Sequence, residues 1–272
     1  MSGITNSGQK VLANKISSVV SKLINIKRLR VTHLRTKDID FVSSLINVEE
    51  LVLEYVSGFS DLEPLRKLKK LKSLHIENLR KVSDFSGLSG IDSLRYLRID
   101  GTFDWKQPIS DFEFLRGLPN IEVISFGQVI NKTEFPAFLP LLSLQKLKKL
   151  LMPNNMFAAK EYALLTVGKA NVEGADWPAF TKVAYSKIPL PKNDFLYLLA
   201  DDDSRDSQPE ITVSYSGEKM ISNPDDEWFE FTGKNAGKIK TTSPKSEAKC
   251  IEYTALYEAM KKEASVLINE KS

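Results

Sequence analysis

Few residues in this chain have the types and spacing that chemistry requires. Its imidazoles and thiol are His33, His75 and Cys250. A zinc site built from Cys and His needs about four ligands, and these residues lie far apart in the sequence. A lone cysteine cannot build a disulfide framework. Cys250 falls on the apolar side of a predicted helix and reads as packing, and no Ser or Cys stands in a nucleophile elbow. The segment Thr232-Gly-Lys-Asn-Ala-Gly-Lys238 invites comparison with a phosphate-binding loop, which needs four residues between its glycines and Ser or Thr after the lysine. Here three residues separate Gly233 from Gly237, and Ile239 follows Lys238. A glycine turn between strands is expected instead. Asp201, Asp202 and Asp203 would need Gly at position 206 and Glu at 212 to open a calcium-binding loop. The chain has Asp206 and Thr212 and reads as a solvated acidic loop. No catalytic residue, metal site or cofactor is expected, and the chain reads as a non-enzyme.

The dominant pattern is architectural. The motif apolar-x-x-apolar-x-x-apolar-x-apolar recurs six times in the first 155 residues. Its third positions, Leu29, Leu51, Leu74, Leu97, Ile124 and Leu150, are separated by 22, 23, 23, 27 and 26 residues. The last two apolar positions alternate with polar ones, the period of a short strand with one buried face. The earlier spacing of three suits a 3₁₀ turn. Each unit is too small to bury its own apolar side, so the units must stack. A second marker is in phase with the first: Asp38-Ile39, Asp61-Leu62, Asp84-Phe85, Asp111-Phe112 and Glu134-Phe135. Ser60, Ser83, Ser110 and Thr133 precede four of the acids. This is helix-start chemistry, so each marker is expected to open a turn on the convex side.

The run from Ser60 to Ile76, SDLEPLRKLKKLKSLHI, resembles a leucine-rich repeat of the 22-residue class, which includes the internalins and the regulatory subunits of protein phosphatase 1. The resemblance covers roughly residues 23 to 157. It implies a solenoid whose strands line a concave face. Such repeats usually place Asn three residues after the last strand position. The matching residues here are Leu34, Val56, Leu79, Thr102, Val129 and Asn155, so an apolar turn core is expected. The stretch from Trp228 to Lys245 is similar to the tails of poorly characterised bacterial leucine-rich-repeat proteins. Paired cysteines in some of those suggest a zinc ribbon; this chain has no such pair, and no metal is carried over.

The fold class is therefore α/β, a leucine-rich repeat solenoid with an N-terminal helical cap and an α+β C-terminal region. Residues 1–22 form the cap, 23–157 about six repeats, and 158–272 the C-terminal region, which ends in a helix. Residues 8 to 24 are amphipathic, with Val11, Ile16 and Val19 on one side and Lys10, Asn14 and Lys22 on the other. Beyond the repeats, helices are predicted at Ala158–Ala170 and from Lys245 to Leu267, and strands at Ile211–Tyr215 and Asp226–Phe231.

The outward residues of the predicted strands are the candidate partner-binding set: Arg28, Arg30, Glu50, Glu54, His75, Glu77, Tyr96, Arg98 and Asp100. Tyrosine is enriched at binding hot spots. Glu54, Glu77 and Asp100 fall in one column, where like charges at strand spacing oppose stability; this favours a basic partner. The expected function is non-catalytic binding of an unidentified protein through the concave face.

Charge sharpens the exclusions. Residues 1–157 carry 23 Lys+Arg against 16 acids, a net of +7, and residues 158–272 carry 15 against 19, a net of −4. The total of +3 argues against nucleic acid and membrane surfaces as partners. The opening MSGITNSGQK lacks the apolar core of a signal peptide, and a cytoplasmic location is expected. Residues 194–230 hold 11 acids against Arg205 and Lys219. That run motivates an alternative, an immunity or anti-toxin protein that occludes a toxin effector. An enzyme housed in the C-terminal region is the third reading.

Overall fold

The computed structural model describes residues 25–190, 211–213 and 217–271, together with residues 19 and 23. The predicted N-terminal cap and most of the acidic run after 194 lie outside the described residues.

Strands β1 (Arg28–Thr32), β2 (Glu50–Glu54), β3 (Ser73–Glu77), β4 (Tyr96–Asp100), β6 (Val123–Gly127) and β8 (Lys149–Leu151) form one parallel sheet in chain order. Its register aligns Leu29, Leu51, Leu74, Leu97, Ile124 and Leu150, the third positions of the repeat. From Leu51 to Leu150 these side chains are buried in a continuous core with their strand partners Leu53, Ile76, Ile99 and Phe126. A slip of one residue would turn that set to solvent, so the apolar period enforces the register.

The residue after each of four strands turns the corner in the left-handed region: His33, Tyr55, Asn78 and Gln128 have φ of 54°, 53°, 53° and 49°. The first three donate their N–H to the final carbonyl of the next strand, Glu54, Glu77 and Asp100, each at 3.0 Å. The ladder thus continues past the strand ends. Strands β5 (Gln107–Ile109) and β7 (Val129–Asn131) pair in parallel as a separate ribbon. It occupies the longer fourth and fifth units.

Short 3₁₀ turns cover Asp40–Ser44, Glu63–Lys67, Ser86–Leu88 and Glu113–Gly117. The Asp markers open them as expected, with carboxylates two residues upstream accepting backbone N–H bonds. Asp38 accepts from Asp40 at 3.2 Å, Asp61 from Glu63 at 2.8 Å, Asp84 from Ser86 at 2.8 Å and Asp111 from Glu113 at 2.9 Å. The preceding hydroxyls act differently from the cap role predicted for them. Ser110 Oγ lies 3.2 Å from Ser83 Oγ, and Thr133 Oγ1 donates to the Ser110 carbonyl at 2.8 Å, which ties one repeat to the next. Glu134 does not cap the fifth turn. The helix Leu139–Leu142 starts later, and buried Glu161 accepts the N–H groups of Ala137 and Phe138 at 2.8 and 3.1 Å.

Leu34, Val56, Leu79 and Val129 are buried, which makes the turn core apolar as expected. The one matching amide, Asn155, is exposed. Its role falls to Gln107, which is 0% exposed. Gln107 Oε1 accepts the Leu79 N–H at 2.9 Å, and Nε2 donates to the Val82 carbonyl at 2.7 Å.

Past the repeats, the helix Ala159–Gly168 closes the core and the C-terminal helix Ser246–Lys271 packs on it. Tyr257 and Ala264 of the long helix join the repeat core. Strands β9 (Phe180–Ala184), β13 (Glu227–Phe231) and β14 (Lys238–Lys240) form an antiparallel sheet in the order β14-β13-β9. A second sheet has the order β10-β12-β11, from Lys187–Pro189, Lys219–Ser222 and Ile211–Val213. Cys250 packs with Phe231 and Tyr253 in a small second core. Burial pushes its thiol pKa up, as suits an inert packing cysteine. No described helix is long and apolar enough to cross a membrane.

Candidate functional site

The side chains of the main sheet that do not enter the core stand in three columns set by the strand register. Arg28, Glu50, Ser73, Tyr96 and Val123 make the first; Arg30, Val52, His75, Arg98 and Ser125 the second; Thr32, Glu54, Glu77, Asp100 and Gly127 the third. All nine candidate residues therefore share one face. They differ in accessibility. Arg28, Arg30, Tyr96 and Arg98 are exposed, Glu50, His75 and Glu77 half-buried, and Glu54 and Asp100 buried.

The burial follows from pairing. Arg30 donates from both Nε and Nη2 to Glu54 Oε2, at 3.0 and 2.6 Å. Arg98 Nε donates to Asp100 Oδ2 within its own strand, and Arg28 pairs with Glu50 at 3.0 Å. The acids lie low against the sheet and the arginines lie over them. Side-chain exposure is 79%, 67% and 59% for Arg28, Arg30 and Arg98, against 12%, 24% and 11% for Glu54, Glu77 and Asp100. What an approaching molecule meets first is arginine, and two of the three acids in the column expected to await a basic partner, Glu54 and Asp100, are already engaged from within. Gly127 has a specific part in this: a Cβ at that position would stand 2.0 Å from Asp100 Oδ1. Only glycine leaves the Asp100 carboxylate its place.

The two imidazoles have separate settings. His33 stacks on Tyr55 with ring centroids 4.9 Å apart. His75 lies among the carboxylates, with Nδ1 3.8 Å from Glu54 Oε1 and Nε2 3.8 Å from Glu77 Oε2 and 3.3 Å from Asp100 Oδ2. Burial and then the neighbouring Glu77 charge push the Tyr55 phenol pKa up, and Tyr55 also shares a hydrogen bond with Glu77. Tyr55 belongs to this site and was missed by the sequence argument, because strand alternation ends one residue before it.

Two further features were not anticipated. Just before the strands, Lys27, Glu49 and Lys72 form one chain of ion pairs and Arg95, Glu122 and Lys148 another. Hydrogen bonds from Lys72 and Lys27 hold the Glu49 carboxyl below its usual range, and Lys148 does the same for Glu122. Separately, a cleft of about 510 Å³ brings Lys106, Gln128, Asn154 and Tyr185 beside the Gly233–Lys238 turn. That turn is the rejected phosphate-loop candidate. Its Gly233 and Lys234 N–H groups are spent on the carbonyls of Asn154 and Phe157, and Lys238 Nζ sits 3.7 Å from the Tyr185 ring centre. The turn thus staples the C-terminal region to the last repeat.

No family model matches the sequence, and no curated protein matches it. Among solved structures, an internalin C2 from Listeria monocytogenes aligns over 56% of this chain and 77% of its own, at 21% identity and a TM-score of 0.37. An internalin (inlF) from the same organism aligns over 56% of this chain and 65% of its own, at 16% identity and a TM-score of 0.26. The repeat organisation is visible in the chain itself, as six strands stacked in sequence order with a common register.

Proposed function

We propose that this chain is a non-catalytic protein-binding module and that its partner docks on the open face of the parallel sheet. The observation that supports this reading most is the composition of that face. Tyr96 is 48% exposed and Leu151 45% exposed, on strands that neighbouring strands hold at about 4.8 Å spacing. Arg98 stands in the column adjoining Tyr96, on the same strand, and Arg28 and Arg30 stand three strands away on β1. A rigid platform with an exposed tyrosine and several arginines has the residue types that dominate protein interfaces. With Glu54 and Asp100 lying beneath the guanidinium groups, the complementary partner surface is acidic.

The test is affinity capture with the full chain, followed by binding measurements on the captured protein. An Arg28→Glu/Tyr96→Ala double variant should lose the partner, while Lys67→Glu, on the turn side, should keep it. Equal binding by the two variants, both folded, would refute docking on this face.

A further inference from the structure

We propose that His75, together with Glu54 and Glu77, binds a divalent transition-metal ion of the zinc and manganese class.

The His75 side chain is 21% exposed, yet its Nε2 is shut off from solvent and has no hydrogen-bond partner. Nδ1 lies 3.8 Å from the Glu54 carboxylate, beyond hydrogen-bonding reach. Nε2 is therefore left without a hydrogen bond, although three carboxylates surround the ring. Buried polar nitrogens are rarely left in that condition.

The distances fit a different kind of partner. Asp100 Oδ2 and Glu77 Oε2 stand 3.3 and 3.8 Å from Nε2. One donor atom each from Glu54, His75 and Glu77 lies within 4.8 Å of the others. Ligands bound at about 2.0–2.2 Å around a tetrahedral ion stand about 3.3–3.6 Å from one another. An ion takes one imidazole nitrogen; the 3.8 Å between Nε2 and Glu77 Oε2 is near such an edge, and Glu54, whose Oε1 faces Nδ1, would rotate to join it.

The surroundings are those of a prepared ligand set. The carboxylates come from adjacent strands at one register, Glu54, Glu77 and Asp100, so the sheet fixes their spacing. Arg30 grips Glu54 through Oε2 alone, which leaves Oε1 turned to His75. Arg98 holds Asp100 through Oδ2, which keeps that carboxylate outside the ligand set, and Tyr55 is hydrogen-bonded to Glu77. Outer partners of this kind orient metal ligands and set their basicity. Three carboxylates against two arginines leave one net negative charge beside the imidazole. One nitrogen with several carboxylate oxygens suits zinc or manganese; hard cations such as magnesium and calcium prefer oxygen alone.

The experiment uses the full chain freed of metal by chelation. Zinc(II) and manganese(II) are titrated calorimetrically, and cobalt(II) is added as a spectroscopic probe, with magnesium(II) as competitor. The expected result is one saturable site and a cobalt absorption band altered by imidazole ligation. His75→Asn and Glu77→Gln should each weaken binding at least about tenfold while melting as cooperatively as the wild type. Absence of saturable binding would overturn the proposal, as would unchanged affinity in both folded variants. Displacement of the ion by millimolar magnesium would show loose surface association and would overturn it equally.

Discussion

Gln107 offers the sharpest test of how this fold manages without an asparagine ladder. The perturbation is Gln107→Leu, which keeps the side-chain size and removes the amide. The residue is fully buried. Its loss leaves the Leu79 N–H, bonded at 2.9 Å, and the Val82 carbonyl, bonded at 2.7 Å, without partners in a dry interior. Each stranded backbone group costs about 1–3 kcal/mol. The leucine recovers part of that through apolar burial, worth about 1.5–3 kcal/mol for a whole side chain. The net expectation is a loss of about 1–4 kcal/mol. Urea unfolding should show a lower midpoint with an unchanged slope. Gln107→Glu separates hydrogen bonding from packing. Its carboxylate can accept from Leu79 but offers nothing to the Val82 carbonyl, whereas the protonated acid can donate there. The folded pKa is thus raised above the unfolded value of about 4.3. The stabilisation from the proton is fully present below that value and is lost as pH rises through the folded pKa. A Gln107→Leu variant within about 0.5 kcal/mol of wild type, or a Gln107→Glu variant with the pH dependence of wild type, would refute the reasoning.

Two other perturbations discriminate between roles. Burial is the largest influence on Glu161 and pushes its pKa up, against the opposing pull of the Ala137 and Phe138 N–H groups. Stability should therefore decline as pH rises from the unfolded pKa through the raised folded one; Glu161→Gln should flatten that part of a melting-temperature profile. Glu161→Ala should cost about 2–4 kcal/mol at neutral pH by stranding two buried N–H groups. On the sheet face, Tyr96→Ala should change stability by less than about 0.5 kcal/mol. Glu54→Lys should cost about 3–5 kcal/mol because it sets an ammonium against Arg30 in a mostly buried position. Chemical denaturation of both variants checks the contrast, and equal stabilities would contradict the two-layer arrangement of acids and arginines.

What the sequence made legible follows from how local each signal is. The strand positions are local: Leu74 and Ile76 alternate with His75, and the same alternation returns about a repeat later at Leu97 and Ile99, so register and sheet order were readable. The Asp markers are local as well, since Asp61 caps a turn two residues on. Gln107 was invisible because its partners, Leu79 and Val82, lie a full repeat upstream. Its one signal was the insertion that lengthens the spacing to 27 residues. Strands β10 and β14 escaped because Lys-Ile-Pro and Lys-Ile-Lys are too short to show a period. A count of Cys and His misses carboxylates that repetition places, from successive units, beside one imidazole.

The same repetition explains the charge of the sheet face. Stacked units return Glu, Glu and Asp to one column, and such a column is unfavourable unless something offsets it. The chain supplies two offsets from the neighbouring column, Arg30 on the strand before Glu54 and Arg98 two residues before Asp100. Glu77, between them, has no arginine at its own register position; Val52 and His75 stand where guanidinium groups would be. The structure places the ring of that histidine against all three acids. The missing third cation is the root of the metal proposal. A divalent ion held by His75 would complete the offset at Glu77, and it would make the face more positive toward an acidic partner. Partner affinity and metal affinity should then be coupled through this one residue, each ligand strengthening the other by the same factor.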